Sequence, residues 1–102
     1  MTWFLLFLAG ALICNALPHL AAGLCGEPFP SPFATPSGIG DSSPLVNFYW
    51  GTANLAGGIA LTMWRLPMVD CRIGLAVAAL GWLVIGSYGA MHFGKVRADR
   101  GD

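Results

Sequence analysis

The sequence predicts an all-α integral membrane protein with three transmembrane helices and a Pro-rich loop between helices 1 and 2. Three observations lead there. Of the 102 residues, 56% are hydrophobic and only 10% charged, which leaves too little polar surface to coat a water-soluble domain of this length. The apolar residues gather in three runs, 2–24, 44–64 and 71–93. Each run is about 20 residues or slightly more, enough at 1.5 Å rise per residue to cross a hydrocarbon core of roughly 30 Å. A connector rich in Pro, Phe and Ser, 25–43, parts the first run from the second.

The first run opens Met-Thr-Trp, with no positive n-region, and stays apolar past the usual length of a signal-peptide core, so it is expected to be a retained helix. Cys14 follows Ile13 and Cys25 follows Leu24, where a lipid-anchor site would have a small residue. Pro18 cannot donate to the Cys14 carbonyl, which predicts a kink and a free acceptor at that point. The connector carries Pro28, Pro30, Pro32 and Pro36 with Gly26, Gly38 and Gly40, a pattern expected to hold neither helix nor strand. Its Phe29, Phe33 and Ile39 suit either a segment lying on the headgroups or a fitted cap over a pocket.

The second helix has a clear start: a capping hydroxyl at Ser43, then Pro44 at the first helical position. Its expected end is near Arg65, before Pro67. Asp70 is a plausible N-cap for the third helix, and Gly94 is where a left-handed C-terminal residue is favoured, just ahead of Lys95, Arg97 and Arg100. The tail 95–102 is then expected to be short, charged and solvent-facing. The whole chain, 1–102, is expected to form one membrane domain.

Charge excludes several partners. Five basic and five acidic residues cancel, so no basic field exists to draw nucleic acid, and no polybasic cluster to hold anionic lipid. Three crossings place Arg65 and Arg72 on one side and Lys95, Arg97 and Arg100 on the other. The positive-inside rule therefore gives almost no orientation, which fits an orientation imposed by a partner or the insertion machinery, or insertion both ways to make antiparallel dimers. Cys14 lies mid-membrane and Cys25 and Cys71 at opposite ends of the crossings, so no intrachain disulfide and no metal-type Cys/His spacing is expected.

Polar residues within the runs are costly unless paired, and they are not scattered. Asn15 and His19 share a face of the first helix with Ala11 and Ala22. The second helix carries a ladder of Asn47, Gly51, Asn54, Gly58, Leu61 and Arg65 in alternate steps of four and three. The third has a small-residue line, Gly74, Ala78 and Gly81, continuing to Ile85. Such stripes let backbones approach while asparagines bond across the seam, so Gly51, Gly58, Gly74, Ala78 and Gly81 are the expected packing positions. By depth, His19, Asn47, Trp50, Tyr88 and His92 all fall in the half of the membrane beside the Pro-rich loop. Asn15, His19, Asn47, Trp50, Asn54 and His92 form the candidate polar cluster, either bridging helices and reaching interfacial water or lining a ligand pocket.

No serine-hydrolase, metal-hydrolase or phosphate-loop pattern is present, and no catalytic residue, metal ligand or cofactor is assigned. The leading function is a non-enzymatic helix-packing or accessory subunit, self-associated or part of a larger membrane complex, with the lipid bilayer as its constant partner. An oligomeric transporter or channel for a small solute or ion is the alternative. Third comes a haem-binding electron carrier, with His19 and His92 as the two axial ligands.

The stretches Asn15-Ala-Leu-Pro18-His19, Gly26-Glu-Pro-Phe-Pro-Ser-Pro-Phe33 and Ser43-Pro44-Leu-Val-Asn47-Phe-Tyr-Trp50-Gly51-Thr-Ala-Asn54 resemble a family of short bacterial membrane proteins. The resemblance covers roughly 15–58. It implies a bacterial inner-membrane setting and carries no activity with it.

Overall fold

Three long helices make up most of the chain: α1 (Thr2–Leu24), α2 (Pro44–Arg65) and α3 (Cys71–Arg100). The structure, a computed structural model, describes residues 1–101. The helix starts follow local chemistry. Ser43 Oγ accepts from the Val46 amide at 3.2 Å ahead of Pro44, and Asp70 Oδ1 accepts from the amides of Arg72 and Ile73 at 3.0 and 3.2 Å. Each carboxylate or hydroxyl meets donors that a helix N-terminus otherwise leaves unpaired. α1 runs without interruption through Pro18.

The central element is α1, which packs against both α2 and α3, while those two make almost no contact with one another. The glycine neighbours fix the directions. Gly51 lies on Leu20 and Ala16, and Gly58 on Ile13 and Ala9, so α2 runs antiparallel to α1. Gly74 lies by Leu6, Gly10 by Ala78, and Gly81 by Phe7 and Ala11, so α3 runs parallel to α1. Asn47, Gly51, Asn54 and Gly58 are all buried on that seam, whereas Leu61 and Arg65 at the far end of the ladder are only half-buried. Leu6, Ala9 and Ala16 of α1 have no exposed surface. Small residues on both sides of each seam, rather than large interlocking side chains, set the spacing.

Two expectations need correction. The connector does hold strand: β1 (Phe29–Pro30) and β2 (Asp41–Ser42) pair antiparallel, with Phe29 opposite Ser42 and Pro30 opposite Asp41. Between them a tight turn is closed by the Gly38 amide on the Ser31 carbonyl at 2.8 Å and by Ser31 Oγ against Ser42 Oγ at 2.6 Å. Ser31 is 1% exposed, so the loop has its own small polar interior. The second correction is that α3 does not stop at Gly94. It continues to Arg100 and ends on Gly101 in the left-handed conformation, φ 77°. Tertiary contact explains the extension: Val96 is buried, and Arg100 reaches back to Asp41 at 3.0 Å and to the Ile39 carbonyl. The tail is therefore a helix end tied to the hairpin; only Asp102 of the predicted tail lies outside the described residues.

At 1.5 Å per residue α3 is about 45 Å long, and it sets the longest dimension of the molecule, 46 Å. α1 and α3 are long and apolar enough to cross a membrane. The most apolar stretch of α2 falls short of that level because Asn47, Asn54 and several glycines dilute it.

Candidate functional site

Asn47 is the polar centre of the fold. It has no exposed surface, and its Nδ2 donates into three carbonyls: Phe29 at 2.9 Å, Ser43 at 3.1 Å and Ser42 at 3.2 Å. An oxygen in that position would face three acceptors, so the amide orientation is fixed by its surroundings. Asn47 Oδ1 is then the atom that meets His19 Nδ1, at 2.7 Å. His19 must donate through Nδ1, and its neutral ring keeps the lone pair on Nε2. His19 is 2% exposed and sits edge-on to Phe29 and Phe93.

One helical turn deeper, Asn15 Nδ2 donates to Asn54 Oδ1 at 3.0 Å, and Asn54 Nδ2 donates to the Trp50 carbonyl at 2.8 Å. The α1–α2 seam thus carries two side-chain bridges, one turn apart on α1 and about two turns apart on α2, each between a residue of α1 and an asparagine of α2. On α3, His92 Nε2 lies 2.7 Å from the Gly38 carbonyl. A carbonyl only accepts, so Nε2 carries the proton and the neutral ring keeps its lone pair on Nδ1. Tyr88 stacks on His92 with rings nearly parallel, 5.6 Å between centroids.

These groups surround a cleft of about 290 Å³ between α1, the Trp50 side of α2, the Tyr88–His92 side of α3 and the loop around Ser31 and Gly38. Asn15, His19, Trp50 and His92 line it. Asn47 stands behind His19 and Asn54 behind Asn15, so these two support the wall from the helix seam. Trp50 also lines a neighbouring apolar groove of about 410 Å³ with Phe33, Val46, Tyr49 and Ala53, and Phe33 packs edge-on to its indole at 5.1 Å.

Among the described residues, none whose side chain carries a full charge lines the cleft. Among the described residues no group of three or more His, Cys, Asp and Glu side chains could hold a metal ion. His19 and His92 do share the cleft, but its volume falls at the lower edge of cavities that enclose drug-sized molecules, about 300–1,000 Å³. A porphyrin is larger than that space.

Ser31, Ser42, Phe93 and the Asp41–Arg100 pair also build the site, and sequence reasoning did not single them out. A serine between two prolines reads as loop filler; only the turn that brings Ser31 against Ser42 gives it a role. Comparison with protein-family models, curated proteins and solved structures finds no match to this chain.

Proposed function

We propose that this chain is a three-crossing protein of the bacterial inner membrane whose role is non-enzymatic: a compact helix-packing subunit that self-associates or docks into a larger membrane complex. The observation that carries this reading is the division of surfaces. Polar side chains of the helix interiors are spent on holding α1, α2 and the loop together, as in Asn15–Asn54 and His19–Asn47. The outward faces are apolar and bare: Ile73, Leu80, Leu83 and Met91 on α3 are 55%, 56%, 60% and 76% exposed. A patch of that kind needs lipid or a partner helix against it.

The same division supports α2 as the third crossing. Its Asn47, Gly51, Asn54 and Gly58 point into the seam with α1, and the side turned away carries Leu45, Val46, Ala53, Ala56, Ile59, Ala60 and Met63. Average apolarity counts the hidden residues against the helix, while lipid meets only the outer ones. Arg65, over the Trp64 ring at 3.8 Å, suits the interface where α2 would leave the hydrocarbon.

The test is extraction followed by native mass measurement. The protein should stay with membranes through an alkaline carbonate wash, dissolve in mild detergent and run as a multiple of its own mass or with a stoichiometric larger partner. Release by carbonate, or a lone detergent-free monomer, refutes the reading. Solute or ion flux into proteoliposomes would refute the packing role in favour of transport.

A further inference from the structure

We propose that the cleft under the loop holds the head of an amphiphile that is uncharged and carries a hydroxyl group, entering sideways from the bilayer. The inference deepens the membrane reading above and rests on it.

The hydrogen-bond inventory specifies the head. The network obliges His19 to donate through Nδ1, so the neutral ring presents an unmatched acceptor, Nε2, in a residue that lines the cleft. His92 likewise keeps Nδ1 as an acceptor because Nε2 donates to Gly38. Trp50 also lines the cleft, but its indole N–H is shut off from solvent and takes no part in binding there. The wall therefore offers unmet acceptors. A hydroxyl meets such an acceptor, since it donates its hydrogen. An ether or a ketone supplies no hydrogen to imidazole. With no Asp, Glu, Lys or Arg among the described residues on the lining, an ionic head would lose its hydration without compensation.

The route and the tail follow from the helix arrangement. Because α2 and α3 both lean on α1 and not on each other, the groove between them is open to the side. Trp50 belongs to both the polar cleft and the apolar groove along Val46, Tyr49 and Ala53. A head in the first and a tail along the second occupy adjoining spaces of about 290 and 410 Å³. Above, the His92–Gly38 and Arg100–Asp41 bonds hold the loop down as a roof.

Two membrane sources carry this chemistry, a hydroquinone and a glycerol head. The full chain in lipid nanodiscs should be titrated with a short-tailed hydroquinone and with dioctanoylglycerol, each beside its O-methylated counterpart. At least one hydroxyl probe should saturate, its methyl ether should bind at least tenfold more weakly, and whichever probe saturates names the source. His19→Gln should weaken binding severalfold, but it also removes a bond to Asn47. Ser37→Trp is the independent variant: Ser37 is an exposed loop residue on the cleft wall, so a large ring there blocks the space without touching the helix seams, and binding should be lost while the melting curve is kept. Binding of neither hydroxyl probe overturns the proposal, as does equal affinity for alcohol and ether, or an unchanged affinity in Ser37→Trp. A protein that leaves the membrane under carbonate would instead refute the membrane reading itself.

Discussion

Replacing Gly81 by alanine, a single methyl group, should damage the fold more than any comparable change on an outer face. A Cβ on Gly81 runs into the Phe7 carbonyl oxygen of α1, and the Ala11 amide nitrogen stands 3.2 Å from it. The mirror change, Gly10→Ala, drives a Cβ into the Ala78 carbonyl oxygen, with Ala78 Cα at 3.0 Å. Both obstacles are backbone, so no rotamer change relieves them and the two helices must separate. Overpacking a tight core costs about 1–3 kcal/mol. Here the upper end applies or is passed, because a gap of about 0.5–1 Å opened along the seam forfeits a quarter to a half of each dispersion contact next to it.

The controls lie on the same helix. A Cβ at Gly89 meets nothing nearer than Phe93 at 3.8 Å, and one at Gly94 meets nothing within 4 Å. Gly89→Ala should be near neutral, and Gly94→Ala should stabilise by about 0.5–1 kcal/mol through its lower backbone entropy cost in a helix. Unfolding of the four variants by sodium dodecyl sulfate titration from mild detergent, followed by far-ultraviolet circular dichroism, reads the ranking. Gly81→Ala and Gly10→Ala melting with the wild type, or level with Gly94→Ala, would refute the close α1–α3 seam.

On the α1–α2 seam, Gly51→Leu and Gly58→Leu should each lower the midpoint more than Asn54→Leu, because the former push on Ala16 and Ala9 backbone while a typical interhelical hydrogen bond in a membrane is worth about 0.6 kcal/mol; the reverse order in the same titration refutes it. Asn47→Leu should cost about 2–3 kcal/mol, more than Asn54→Leu, since it strands the His19 donor and the carbonyls of Phe29 and Ser42 together, and an equal loss in the two would show that the loop carbonyls find water instead. Arg100→Ala should cost only about 0.2–1 kcal/mol, as expected of a part-exposed ion pair, yet quicken proteolysis within 31–40, and an unchanged cleavage rate would show that the helix end does not hold the loop. A membrane-impermeant maleimide should reach exposed Cys25 and Cys71 from opposite sides of sealed vesicles, and labelling of both from one side would refute three crossings.

How much of this was legible in the sequence depended on how local the deciding chemistry is. The caps at Ser43 and Asp70 were readable because the acceptor and its donors lie within three residues. The faces of α2 were readable because helical spacing puts Asn47, Gly51, Asn54 and Gly58 in one line; which neighbour they meet was not. Gly94 is a sound local stop signal, yet it lost to contacts made by Val96 and by Arg100 with residues some 60 positions away. The strand pair escaped notice because it is two residues long and includes a proline, so it has no period to detect. His19 and Asn47 could be matched in depth but not in partner, since that pairing rests on the rotation of α1 against α2.

The two oddities of the chain, polar side chains inside apolar helices and a connector crowded with proline and glycine, resolve into one device. A helix consumes its own carbonyls, so an asparagine or histidine on α2 or α3 cannot count on a neighbouring helix for acceptors. A connector broken up by prolines forms few backbone hydrogen bonds and so has carbonyls to spare. Three helix side chains take their acceptors from that segment or its edge: Asn47 from Phe29, Ser42 and Ser43, His92 from Gly38, and Arg100 from Ile39, whereas Asn54 uses the Trp50 carbonyl of its own helix. Asn47 in turn aligns His19 from the opposite helix. A flexible Gly/Ser linker of equal length would leave those side chains unmet, and each unpaired buried group costs about 1–3 kcal/mol. The loop is therefore a fourth wall of the helix assembly, and its replacement by such a linker should expose the cleft and loosen α2 from α1 together.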